Sequence, residues 1–78
     1  MIMHQKTGKE VTEILEKASD ENLVIRVFYH SKYEEPLEAE REIEVYKFDK
    51  RYISGFCRLL KGMRNFRIDR ISEIELLD

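Results

Sequence analysis

Apolar residues recur along this chain with two different periods. In the first quarter, Val11, Ile14, Leu15 and Ala18 fall at i, i+3, i+4 and i+7, the spacing of one helical stripe. Glu10, Glu13, Glu16 and Lys17 take the other faces. Thr7 followed three residues later by Glu10 fits a capping box. Ser19-Asp20-Glu21-Asn22 ends the pattern, with Asn22 as the stop. The spacing predicts a helix over residues 7–21 that covers one face or end of a small sheet.

From Leu23 the period changes to two. Leu23, Ile25, Val27 and Tyr29 form one face of a strand, and Val24, Arg26, Phe28 and His30 the other. Both faces are mostly apolar and rich in β-branched and aromatic residues, which predicts a central strand covered on both sides. Residues 31–40 read as a loop, since Pro36 cannot donate to a ladder. Its glutamates at 34, 35, 38 and 40 are expected to be solvated. Residues 41–48 alternate again, with Ile43 and Val45 set against Glu42 and Glu44. Residues 51–58 follow a short turn, and Gly55 in mid-strand signals a bend or a close backbone approach. Two further strands, beginning at Arg64 and Ser72, complete the pattern. The sum is a mainly β chain: one N-terminal helix, then five antiparallel strands over residues 23–77 in meander order, closing into a small barrel that leaves no exposed edge.

The chain has 78 residues, enough for one domain, 1–78, near the lower limit of independent folding. Such a domain retains about 3–5 kcal/mol of net stability. Its single cysteine, Cys57, excludes an internal disulfide and suits a reducing, cytoplasmic compartment. No apolar run spans a membrane, and the N-terminus has no signal-peptide core. The net charge of −2 conceals a strong asymmetry. Residues 1–40 carry five Lys/Arg against nine Asp/Glu, residues 41–70 nine against four, and residues 71–78 three acids. A basic block lies between two acidic ones, and local potential decides where an anion docks.

That block ends in Arg64-Asn65-Phe66-Arg67-Ile68-Asp69-Arg70-Ile71. The arginine fork matches phosphate geometry, so Arg64 and Arg67 are the first candidates for an anionic ligand, followed by Arg41 and Arg26. Arg64 and Arg67 differ by three, which on a regular strand points them to opposite faces. Only a barrel mouth or a bulge would reunite them. Arg70 is expected to pair with Asp69 or another acid, and Asp69-Arg70 to form the turn before the last strand. Among the aromatics, Phe56 and Phe66 are assigned to the core. Tyr52, then Tyr33, are candidates for stacking on bases, which adds about 1–3 kcal/mol per base. His30 is a further contact candidate.

Catalysis is not expected. The histidines are His4 and His30 alone, no His, Cys and Asp cluster has metal-ligand spacing, and Cys57 reads as a small buried hydrophobe. Glycines at 8, 55 and 62 make no phosphate-cradling loop. No cofactor is implied.

These residues carry a family resemblance. Arg26-Val27-Phe28-Tyr29, Arg41-Glu42-Ile43-Glu44, Arg51-Tyr52-Ile53 with Gly55-Phe56-Cys57, and above all residues 64–71 resemble the successive motifs of the WYL domain, whose last motif reads R-T-F-R-L-D-R-I. The likeness covers residues 11–77. Arg51 stands in place of the naming tryptophan, and Val45 in place of the proline that usually follows the glutamate. The resemblance implies an SH3/Sm-like barrel and an accessory module of bacterial regulators, CRISPR-associated proteins or helicases, binding nucleic acid or nucleotide-like ligands. The 22 residues before the first strand leave no room for the helix-turn-helix that precedes most such domains, so a free-standing module or part of a larger protein is expected.

Three functions compete at this level. In the first, the domain binds single-stranded DNA or RNA, with Arg64 and Arg67 on phosphates and tyrosines on bases, as part of a parent protein such as a helicase. In the second, a basic pocket senses a small anionic nucleotide-like effector and controls a DNA-binding partner. In the third, the helix or the last strand docks on another protein.

Overall fold

The computed structural model describes residues 8–77. Helix α1 (Gly8–Glu21) stops where its sequence indicates. Asn22 turns to φ 55°, and the Leu23 N–H donates to the Ala18 carbonyl at 2.9 Å, the six-to-one closure that a left-handed residue after the helix permits. Thr7, the other half of the expected capping box, and His4 lie outside the described residues.

Five strands follow: β1 (Val24–His30), β2 (Glu38–Phe48), β3 (Tyr52–Cys57), β4 (Gly62–Arg67) and β5 (Ile71–Leu77). They form one sheet in the order β4-β3-β2-β1-β5, every neighbouring pair antiparallel. The expected fold class, one helix and five antiparallel strands in a small SH3/Sm-like arrangement, is the one observed. The meander runs only through β4. There a 3₁₀ turn, Ile68–Arg70, carries the chain across to β1, where β5 pairs Val27 with Ile74. The expected turn at Asp69-Arg70 is therefore present. The ladder does not close fully: β4 and β5 remain its two edges.

One face of this curled sheet, joined by α1, forms the core. Ile25 and Val27 of β1, Ile43 of β2, Ile53 and Cys57 of β3, Phe66 of β4 and Ile74 of β5 surround Leu15 and Ala18 of the helix. The other face of β1 is half-exposed at Val24, Arg26, Phe28 and His30, so β1 is covered on one side, not two. Phe56 is exposed as well, against expectation. It has the outward parity of Tyr52 and Ser54, and its cross-strand neighbours are Glu44 and Met63. Cys57 is fully buried.

Gly55 makes the predicted close approach. A Cβ there would collide with the Glu44 carbonyl oxygen and lie 2.8 Å from Ile43 Cγ2. Beside it the β2–β3 register slips between Val45 and Lys47, which leaves Tyr46 exposed. Bulges sharpen twist, and this one helps to curl β3 and β4 over the core toward β1.

Candidate anion-binding site at the mouth of the curled sheet

Arg41 lies in the inward row of β2, in step with Ile43 and Val45, and is paired with Val27 of β1. Alternation therefore sends a guanidinium to the core side. Arg41 is 1% exposed. Its Nη2 donates to the Pro36 carbonyl, while Nε and Nη1 have no hydrogen-bond partner. Each unsatisfied buried donor costs about 1–3 kcal/mol, and a buried cation costs more unless something anionic compensates it.

Arg64 shares its row with Phe66 in β4 and pairs with Gly55. Its Nε and Nη2 donate to the Glu34 carboxylate at 2.8–3.1 Å, and Nη1 donates to the Met63 carbonyl at 2.9 Å. Glu34 comes from the 31–37 loop, where the Tyr33 and Glu34 N–H groups donate to Ser31 Oγ and the Ser31 N–H to the Leu37 carbonyl at 2.6 Å. The hydrogen bond from Arg64 holds the Glu34 carboxyl below its usual range, with the charge of Arg41 adding to the effect. The same contact raises Arg64. An acid expected to be solvated thus lies between two arginines, in the place a ligand anion would take.

Arg67 is the last residue of β4, where the chain turns into the 3₁₀ segment. It keeps the outward row of Met63 and Asn65, but the concavity takes in both rows at this end of β4, so Arg64 and Arg67 line it together after all. The Arg67 guanidinium donates to Asp69 at 2.6 and 3.1 Å, which lowers the Asp69 carboxyl. The Arg67 backbone N–H donates to the Tyr29 hydroxyl at 3.1 Å. Tyr29 is itself fixed edge-on against Phe66, with ring centroids 5.0 Å apart.

The concavity measures about 250 Å³ and is lined by Arg41, Arg64, Arg67 and Arg70, with Tyr33 and Tyr52 among its walls. Both tyrosines are exposed, at 87% and 41%. Of the residues singled out from sequence, the structure brings together Arg41, Arg64, Arg67 and Tyr52. It does not bring Arg26 and His30 to them. Arg26 lies on the outer face and donates to Glu75 at 2.7 Å. His30, also on that face, lies 3.0 Å from Ser72 Oγ and 3.5 Å from Glu38. Arg70 is corrected in the other direction. Asp69 receives its hydrogen bonds from Arg67, and Arg70 makes no ion pair among the described residues. Arg70 and Glu34, which also line the concavity, were not among the candidates from sequence. The parity of Arg41 with Ile43 and Val45 was the available signal for its burial.

Residues 10–76 match the sequence pattern of the WYL domain family. The backbone also superposes on proteasome accessory factor B/C of Arthrobacter aurescens with a TM-score of 0.67 at 22% identity, over 97% of this chain and 12% of that one. At that identity the likeness is one of fold. No curated protein matches the chain.

Proposed function

The chain belongs to the WYL domain family, and from that premise we propose that it is a non-catalytic accessory module that binds single-stranded DNA or RNA at the arginine-lined mouth. WYL domains are ligand-sensing or nucleic-acid-binding accessory units, and as such a unit this domain serves a larger protein, a helicase or a DNA-binding regulator. One observation carries the reading: Arg41 is buried beside the concavity with two guanidinium positions unpartnered. A phosphate offers charge and acceptors together, which is what a buried unsatisfied fork lacks. Arg64, Arg67 and Arg70 bring further positive charge to the same hollow, and Tyr33 and Tyr52 offer exposed ring faces on which bases can stack. Binding requires the phosphate to displace Glu34 from Arg64.

Fluorescence anisotropy of a labelled oligothymidylate across a salt series tests this. Log affinity is expected to fall with log salt at about 0.7 per phosphate contacted. Arg64→Ala should weaken binding about tenfold or more and flatten the slope by roughly one phosphate. Absence of binding at low salt would refute the proposal. Tight binding of a mononucleotide with none of the oligonucleotide would transfer the site to a small-effector sensor.

A further inference from the structure

Tyr52 and Arg67 stand opposite each other in the β3–β4 ladder. Together they line two concavities: the mouth described above, and a neighbouring hollow of about 320 Å³ whose walls also include Lys50, Arg51, Ile68 and Asp69. The two hollows are thus adjacent along one surface, with the Tyr52 ring and the Arg67 side chain between them.

The frame of the second hollow is rigid. Asp49 Oδ1 accepts the backbone N–H groups of Arg51 and Tyr52, each at 2.8 Å, and these bonds hold its carboxyl low. The Asp49 N–H donates to the Tyr52 carbonyl at 2.9 Å, and the Ile68 N–H to the Arg51 carbonyl at 2.8 Å. The β2–β3 turn is therefore clamped both to itself and to the 3₁₀ segment. On this frame Lys50 and Arg51 are exposed, and among the described residues neither forms an ion pair. Among the described residues Asp69 is the only acid lining the hollow, and its carboxylate is engaged by Arg67.

We propose that Lys50 and Arg51 form a second anion subsite, so that the ligand is a strand carrying at least two phosphates, with one base stacked on Tyr52 between them. This inference rests on the nucleic-acid reading of the mouth and extends it. A lone nucleotide seated at Arg41 and Arg64 leaves Lys50 and Arg51 without a partner. A strand fills both hollows and passes over the aromatic ring they share. Arginine at position 51 gives this hollow a charge that a tryptophan there would not.

The test compares a labelled oligothymidylate of about ten nucleotides, within the roughly 4–16-nucleotide span of small single-strand-binding barrels, with labelled thymidine monophosphate. Both are titrated against wild type, Lys50→Ala/Arg51→Ala and Arg64→Ala. The double variant is expected to weaken the oligonucleotide about tenfold and reduce its salt slope by roughly 0.7–1.4, one to two phosphates, while mononucleotide affinity stays within about twofold. Arg64→Ala is expected to weaken both ligands. The inference is overturned if the double variant leaves the oligonucleotide slope unchanged while Arg64→Ala still reduces it. It is overturned equally if the double variant weakens both ligands alike. No binding of either ligand to wild type would remove the nucleic-acid reading, and the second subsite with it. Circular dichroism melts of the variants, all altered at exposed or half-exposed positions, check that each is folded.

Discussion

The outer face of the sheet and its mouth are built from the same residue types, yet they are electrostatic opposites. On the outer face the arginines meet carboxylates: Arg26 with Glu75 at 2.7 Å, and Arg58 with Glu42 and Glu44 at 3.3 and 3.1 Å. Glu40 and Glu73 flank Phe28 without adding a cation, so the surface is acidic in sum. At the mouth Arg41, Arg64, Arg67 and Arg70 share a concavity in which Glu34 is the only acidic wall among the described residues. Ion pairing alone does not separate the two regions, since Arg64 is bonded to Glu34 as closely as Arg26 is to Glu75. What separates them is surplus and burial. The outer face satisfies its charges in water, whereas the mouth holds a desolvated guanidinium with two unpartnered positions. On the proposed function, a polyanion is repelled by the first and drawn to the second.

The largest effect follows from that burial. Arg41→Met keeps the volume of the side chain and removes the charge. Replacing buried ionic groups with apolar ones of similar size is often neutral or stabilising by about 1–4 kcal/mol. The urea midpoint of the variant should therefore hold or rise. Binding of the oligonucleotide should fall at least about thirtyfold, as when one partner of a buried charged contact is lost. A variant that lost stability but kept its affinity would make Arg41 a structural residue and erase the distinction between mouth and outer face.

A middle-sized effect concerns the internal acid. Glu34→Gln keeps the shape of the side chain but surrenders the charge that competes with a ligand for Arg64. Oligonucleotide affinity at low salt is expected to rise about two- to fivefold, the scale of an exposed ion pair. The same substitution has a signature in pH. Because Arg64 depresses the folded-state Glu34 carboxyl, the pair's contribution is full above the ordinary glutamate pKa of about 4.3. It is lost as pH falls through the lower folded value. Thermal melts in acid should therefore show a shallower loss of stability in Glu34→Gln than in wild type, with Asp49 and Asp69, both also depressed, supplying the slope that remains. If affinity fell on this substitution, Glu34 would be positioning Arg64 for the ligand and not occupying its place.

The fold was legible because period carries it. The stripe Val11, Ile14, Leu15 and Ala18 reached the core through Leu15 and Ala18, Asn22 took the left-handed stop, and Gly55 marked the close approach of β2. The site was legible only in part, because alternation says which face a side chain takes but not how the strands are registered. Arg41 showed its parity openly, yet whether that row ends in solvent or under a loop depends on where residues 31–37 fold back, and that is a tertiary fact. Arg26, a candidate from sequence, lies away from the mouth for the mirror reason: it shares a strand with Val27 but not a face. The partner of Arg64 and the loss of Asp69 to Arg67 rather than Arg70 lay beyond reach, since Glu34 stands 30 residues from Arg64 and the choice of Asp69 between Arg67 and Arg70 depends on the 3₁₀ turn.

The smallest effect is expected where the outer face is altered. Arg26→Gln removes a cation as the mouth variants do, and on net charge alone it should weaken a polyanion equally. Its side chain is exposed, however, and its charge is already answered by Glu75. Whatever influence it exerts on a strand at the mouth must cross solvent, where screening acts over about 10 Å at 0.1 M salt. Anisotropy titrations of Arg26→Gln should give an oligonucleotide affinity and salt slope matching wild type at that ionic strength, with at most a slight weakening at the lowest salt. A loss comparable to that of Arg64→Ala would mean that the strand also crosses the outer face. The acidic ring of Glu40, Glu73 and Glu75 around Arg26 is the physical reason to expect that it does not.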